Sequence, residues 1–203
     1  MKKKRVVVLI SGRGSNLDAL LHSAAMGCAN FAVVGVVSNK AEAGGLALAR
    51  EANVPTVTLS HKDFSSRETF DAALRTTVDQ FAPDLVVLAG FMRVLTSVFV
   101  SAYAGRLMNI HPSLLPAFSG LHTHARALEA GCKFAGCTVH FVTTELDHGP
   151  IIAQAAVPVL WDDTESTLAE RVLTEEHRLL PQAVSDFCAG KLVVEGLRVR
   201  VSG

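Results

Sequence analysis

Short apolar runs separated by stretches of helical spacing fill the first 110 residues, and this alternation restricts the fold more than any other feature of the chain. The runs are "RVVVLI" (5–10), "FAVVGVVS" (31–38), "PTVTL" (55–59), "PDLVVLAG" (83–90) and "RLMNI" (106–110). A continuous apolar run bounded by turn residues fits a strand covered on both faces. Between the runs, "LDALLHSAAM", "GLALAREA", "SSRETFDAALRTTVDQF" and "LTSVFVSAYA" have the spacing of helices. Ser15 or Asn16 is the expected N-cap of the first, a capping box from Ser65 to Glu68 opens the third, and Thr96 caps the fourth. Strands alternating with helices predict a parallel sheet with helices on both faces.

The pattern changes after residue 110. "GCTVHFVT" and "PIIAQAAVPV" read as two extended strands joined by "TELDHG", with antiparallel pairing. "TESTLAERVLTEEHRLLPQAVSDFCAG" is a long helix, expected to break or shift near Pro181, and "KLVVEGLRVRV" is a terminal hairpin about Glu195 and Gly196. The expected class is therefore α/β: a doubly wound, mostly parallel, Rossmann-like sheet with antiparallel strands in the C-terminal half. A length of 203 residues suits a single domain spanning 1–203.

Lys plus Arg and Asp plus Glu are equal at 19 each, so no basic field is available for a nucleic-acid backbone, and no nucleic-acid partner is expected. The apolar run Val6–Ile10 is too short for a signal-peptide core of roughly 7–15 residues, and no run of about 18 apolar residues predicts a membrane span. Cysteines 28, 132, 137 and 188 form no CxxC pair and are expected to be reduced thiols of a cytoplasmic protein.

In an open parallel sheet, ligands bind beyond the carboxyl ends of the strands. The unusual polar clusters fall at such ends: "SGRGSN" after the first strand, "SNK" after the second, "GFMR" after the fourth and "NIHPS" after the fifth. Four clusters on one rim predict an active site there. "GRGSN" lacks the third glycine of a dinucleotide turn, where Leu17 stands, and no acid follows near Val36–Ser38, which argues against NAD. A glycine-lined turn opening a helix remains, and its backbone N–H groups and dipole suit a phosphate.

Asn109 and His111, two apart in an extended segment, point to one side, and Pro112 holds His111 out of helical geometry. An amide beside an imidazole can hold an oxyanion while the ring moves a proton. Asp147, in a turn fixed by Gly149 and Pro150, is the best carboxylate to orient the ring. A serine-hydrolase elbow, G-x-S-x-G, is missing. The remaining histidines, His140 among them, read as surface or packing residues. The spacing of His122, His124 and His140 is a weak metal signal, and no metal is expected.

At this point the residues match a known family. "LISGRGSNL", "SNKAEAGGLALA", "SRETFDAAL", "PDLVVLAGFMRVL", "GRLMNIHPSLLPAFSGLHTHARALEAG", "GCTVHFVTTELDHGPIIAQ" and "RVLTEEHRLLP" together resemble the glycinamide ribonucleotide formyltransferases, folate-dependent enzymes of purine synthesis, over the chain to about residue 195. Methionyl-tRNA formyltransferase shares the core but normally adds a C-terminal domain for which 203 residues leave no room; a formyltetrahydrofolate hydrolase, which usually carries an extra N-terminal domain, and a non-catalytic nucleotide-binding module are the alternatives.

The resemblance implies a phosphate- and nucleotide-binding half, 1–110, and a folate and catalytic half, 111–203. It implies that Gly14, Ser15 and Asn16 hold the substrate phosphate and that Glu176 meets its ribose. Met92, Arg93, Val94, Leu95 and Asn109 would line the folate pocket, and Arg67 would meet the folate carboxylate tail. Asn109, His111 and Asp147 would be catalytic in a direct transfer from 10-formyltetrahydrofolate, the co-substrate, with small molecules as partners and a monomer or homodimer as the assembly. The chain has Ala117, Phe118 and Ser119 where the family often has a basic residue, and His148 where it often has glycine.

Overall fold

The computed structural model describes residues 2–26 and 29–202; Cys28, one of the expected thiols, lies outside them. The chain forms two compact units, Met1–Asn109 and Ile110–Gly203.

The first unit is built on β1 (Lys4–Ile10), β2 (Phe31–Ser38), β3 (Thr56–Thr58), β4 (Leu85–Leu88) and the start of β5 (Leu107–His111). Their order is β3-β2-β1-β4-β5, and every pair is parallel. Val6 to Ile10 are 0% exposed, as the uninterrupted apolar run requires. Burial of each such side chain contributes about 1.5–3 kcal/mol. Strands are added on one side of β1 as far as β3, then on the other as β4 and β5, which is the doubly wound order. Right-handed crossovers then set α1 (Ser15–Ala25) and α2 (Gly45–Glu51) on the face opposite α3 (Arg67–Asp79) and α4 (Ser97–Val100). Accordingly α1 packs on α2, and α3 on α4.

Two helix starts differ from expectation. The N-cap of α1 is Gly14, not Ser15 or Asn16, because the chain enters at φ 86, a left-handed value suited to glycine. A Cβ on Gly14 would stand 2.5 Å from the Cα of Gly45, so the two glycines let the two helix starts touch. The capping box of α3 is shifted by one residue, to Ser66 and Thr69. Ser66 has the extended backbone that aims its hydroxyl at the N3 amide, and Thr69 returns the bond in place of Glu68. Thr96 is the N-cap of the fourth helix, as expected, though without a side-chain cap bond; the helix is a single turn followed by the 3-10 turn Ser101–Tyr103. The Thr96 N–H and hydroxyl instead donate to Asp71 Oδ2, at 2.5 and 2.8 Å.

In the second unit, β6 (Phe134–Phe141) pairs antiparallel with β7 (Ile151–Pro158). The hairpin of β8 (Leu192–Glu195) and β9 (Arg198–Val201) joins β7 through β9. α5 (Thr123–Glu129) is short, and α6 (Glu165–Cys188) packs over β6 and β7. α6 is not interrupted at Pro181. Proline removes one helical hydrogen bond and costs roughly 3 kcal/mol. Here Leu179, Leu180, Ala183 and Val184 bury the flanking turns and hold the helix through it. Among the described residues, Cys132, Cys137 and Cys188 are in no disulfide. No described helix is long and apolar enough to cross a membrane.

Candidate active site

In the first unit, three of the four rim clusters are tied together at the carboxyl ends of β1, β2 and β4. Ser11 N–H donates to the Gly90 carbonyl at 3.1 Å. The Ser11 hydroxyl donates to Asn39 Oδ1 at 2.5 Å and accepts from Met92 N–H at 2.8 Å. This junction lies between β1 and β4, where the strand order reverses, the usual ligand position in such sheets. Ser11 and Asn39 were not singled out from the sequence; their only signal was membership of those clusters.

The segment 91–96 leaves β4 here. Met92 is 61% and Val94 54% exposed, an apolar pair left in the open, with Arg93 and Leu95 half-buried. Arg67, the first residue of α3, donates from Nη2 to the Val94 carbonyl at 2.5 Å. Asp71, 2% exposed, braces the same segment through Thr96. A cation beside exposed apolar side chains is chemistry suited to a flat heterocycle with an acidic tail. Gly14, Ser15 and Asn16 open α1, with Asn16 9% exposed; Asp18, in the first turn, pairs with His22 at 3.2 Å.

β5 carries Asn109 beside Leu88 of β4 and His111 two residues further, so both face one side. In the second unit, His111 meets Asp147: Nδ1 stands 3.5 Å from Oδ2, with the side chains 7% and 8% exposed. Asp147 is left-handed, φ 52, in the turn between β6 and β7. That turn is held at its base by the bond from Phe141 N–H to the Pro150 carbonyl, 2.9 Å. Gly149 packs so tightly against the Phe141 carbonyl that a Cβ would collide with it.

The second ring nitrogen of His111, Nε2, is 3.0 Å from the Phe118 carbonyl. A carbonyl only accepts, so Nε2 carries a hydrogen there. Both nitrogens thus face acceptors. Gly120 N–H donates to Asp147 Oδ2 at 2.8 Å. His140, expected to be a packing or surface residue, is 1% exposed with Nε2 3.9 Å from Asp147 Oδ1. Burial pushes its imidazole below the ordinary value, while the Phe141 carbonyl and the Asp147 carboxylate pull it back up. Phe118, Gly120 and His140 were missed because the contacts cross a loop and a hairpin whose path no local pattern states. Glu176 lies on α6, 7% exposed.

An imidazole paired with a carboxylate at the end of a parallel strand, with an amide two residues before the ring, is the equipment of an acid–base enzyme. The family model described as formyl transferase matches residues 4–184. Phosphoribosylglycinamide formyltransferase of Escherichia coli K12 is 53% identical over 187 residues, 92% of this chain and 88% of that one. The trifunctional purine biosynthetic protein adenosine-3 of Drosophila melanogaster is 50% identical over 95% of this chain, which spans 14% of that protein. The crystal structure of glycinamide ribonucleotide transformylase 1 from Symbiobacterium toebii superposes with a TM-score of 0.97 at 49% identity, covering 99% of this chain and 95% of that one. The chain belongs to the formyl transferase family.

Proposed function

We propose that the protein is an enzyme transferring the formyl group of 10-formyltetrahydrofolate to the amine of glycinamide ribonucleotide, giving N-formylglycinamide ribonucleotide for purine synthesis. The observation that carries the reading is the buried pairing of His111 with Asp147 on a strand that also presents Asn109. The high identity to formyltransferases over nearly the whole chain supports it.

The substrate amine resembles a peptide α-amino group, whose pKa near 8 leaves roughly a tenth neutral at pH 7. A strong base is therefore unnecessary. The barrier lies in bringing two bound molecules together, stabilising the oxyanion as the amine adds to the formyl carbon, and protonating the departing folate nitrogen. Positioning contributes about 7–11 kcal/mol in favourable cases. The Asn109 amide would donate to the oxyanion, worth roughly 3 kcal/mol. With Nε2 held by the Phe118 carbonyl, His111 would work through Nδ1, taking there the proton released by the attacking amine and giving one to the leaving nitrogen, worth about 10²–10⁴-fold. Asp147 orients the ring and stabilises its charge. Transfer is direct, with no covalent bond to the protein.

Gly14, Ser15 and Asn16 would bind the phosphate through the start of α1, and Glu176 the ribose. Arg67 would meet the folate carboxylates, with Met92, Arg93, Val94 and Leu95 against its ring system. The reading places the enzyme in the cytoplasm, acting on small molecules as a monomer or homodimer.

The test is an assay of the purified chain with both substrates, omitting each in turn, following loss of the formyl group and formation of the formylated ribonucleotide. Product only with both present supports transfer. Formyl loss at an undiminished rate without the ribonucleotide would make the protein a hydrolase, and no turnover at all would sink the reading.

A further inference from the structure

The loop between β5 and α5 returns to the catalytic pair at two points, both through its main chain. The Phe118 carbonyl accepts from His111 Nε2, and Gly120 N–H donates to Asp147 Oδ2. The path is strained: Phe118 has φ 55, a left-handed value that a non-glycine residue rarely adopts. Ala117 and Ser119 are exposed and bury little to offset that strain. The Ser113 hydroxyl pins the start of the loop, donating to the Ala117 carbonyl at 2.6 Å.

Arg126 pins the rest. From α5, its Nη1 donates to the Ser119 carbonyl at 2.6 Å and to the Leu121 carbonyl at 3.3 Å. Its guanidinium also lies 5.4 Å from the centre of the Phe118 ring. One planar cation therefore engages the residues on either side of Gly120 and the side chain of Phe118. Charge-assisted bonds to carbonyls are stronger than neutral ones and act against the strain. Both carbonyl bonds leave one guanidinium nitrogen while the cation's plane serves the aromatic ring; an ammonium can reach the carbonyls but has no such plane.

We propose that Arg126 is a positioning residue for formyl transfer: it fixes loop 117–121 so that the main chain of Phe118 and Gly120 holds the His111 ring and the Asp147 carboxylate in register. It touches neither reacting group and acts through the loop. The same hold covers Nε2 and contributes to the low exposure of His111, 6%. The kinetic half of the proposal rests on the function proposed above; the structural half does not.

The experiment compares the full-length chain with Arg126→Ala and Arg126→Lys. Diethyl pyrocarbonate acylates an uncovered imidazole nitrogen, and peptide mass spectrometry reports each histidine separately. His111 is expected to react about five-fold or more faster in Arg126→Ala, with Arg126→Lys between the two, as the loop opens locally. Buried His140 and exposed His22 serve as references and stay unchanged. In parallel, kcat should fall about ten-fold in Arg126→Ala with both KM values within about two-fold, because a misplaced catalytic group loses rate rather than binding. Equal labelling of His111 in wild type and variant would overturn the proposal. So would an acceleration shared by His140, which marks general loosening, or a rise in KM with kcat unchanged. An inactive wild type would defeat formyl transfer itself and leave the labelling comparison to decide the hold on the loop.

Discussion

Asp147 Oδ2 and His111 Nδ1 stand 3.5 Å apart in a site where both side chains are less than a tenth exposed. Little water screens the pair, so the carboxylate acts on the ring far more strongly than it would at a surface. It is also anchored on its other side by Gly120 N–H, so it cannot rotate away without losing a bond. The relationship makes Asp147 the carboxylate that faces the ring at Nδ1.

Asp147→Asn tests this with almost no change in volume. The amide oxygen can still accept from Gly120, but the charge is gone. We expect kcat to fall by about 10²–10⁴-fold while the KM values for both substrates stay within a few-fold. Steady-state kinetics with a single-turnover control would check it. A loss of less than about three-fold would show that the ring needs no charged partner.

Arg67→Ala separates binding from chemistry. The guanidinium starts α3 and reaches the Val94 carbonyl, beside the exposed Met92 and Val94. If it meets the folate tail, its removal should raise the folate KM about ten-fold, equivalent to about 1.4 kcal/mol, with kcat little changed. An unchanged folate KM would leave Arg67 as a brace for segment 91–96 alone.

What the sequence made legible follows from the range of each signal. The strands of the first unit were readable because Val6–Ile10 and Leu85–Leu88 are buried on both faces and therefore uniformly apolar. Asn109 and His111 were readable because a strand has a period of two. The box at Ser66 was missed by one position because two serines stand together and only the backbone angle selects between them. Pro181 misled because local propensity argued for a break while packing of α6 on β6 and β7 argued against one. Asp147 was found through its turn, whereas Phe118, Gly120, Arg126 and His140 depend on where a loop lands. No spacing rule reaches that far.

The acid limb of stability should carry the signature of Asp163. Arg171 grips its carboxylate with two bonds, 2.7 and 2.8 Å, and with the Leu160 N–H and the Thr167 hydroxyl holds it well below the usual carboxylate range. With the folded value depressed, the unfolded chain binds more protons as pH falls below about 4, and stability is lost in that window. Above it the contribution is fully present. Asp163→Asn should therefore lower Tm at pH 7, and the gap to wild type should close as pH drops below about 4. A gap that persists unchanged at pH 2–3 would show that the substitution acts through packing and not through charge.

Cys137 offers a check on the core of the second unit. Burial pushes its thiol up to about 12, and the charge of Glu176 adds to the effect. At pH 8 only about one molecule in 10⁴ carries the thiolate, the reactive form. Iodoacetamide should label half-buried Cys132 in the folded protein and leave Cys137 untouched until guanidinium unfolds it. Rapid labelling of Cys137 under native conditions would mean that β6 opens on the timescale of the reaction.

Gly14→Ala and Gly45→Ala distinguish strain in the turn before α1 from simple crowding between helices. Gly45 is crowded: a Cβ there would lie 2.6 Å from Ile10 Cδ1 and 3.0 Å from the Cα of Gly14. Gly14 is crowded as well, and in addition sits at φ 86. Overpacking costs about 1–3 kcal/mol at either site, and the left-handed backbone adds roughly 1–2 kcal/mol at Gly14 alone. Both variants should melt lower, Gly14→Ala the more so. Relief of the strain at residue 14 requires the turn to leave its present path and carry the first N–H groups of α1 with it, so Gly14→Ala should also raise the ribonucleotide KM by about ten-fold or more. Gly45→Ala should raise it much less, because the turn itself keeps its path. Equal KM values for the two variants would detach the start of α1 from phosphate binding.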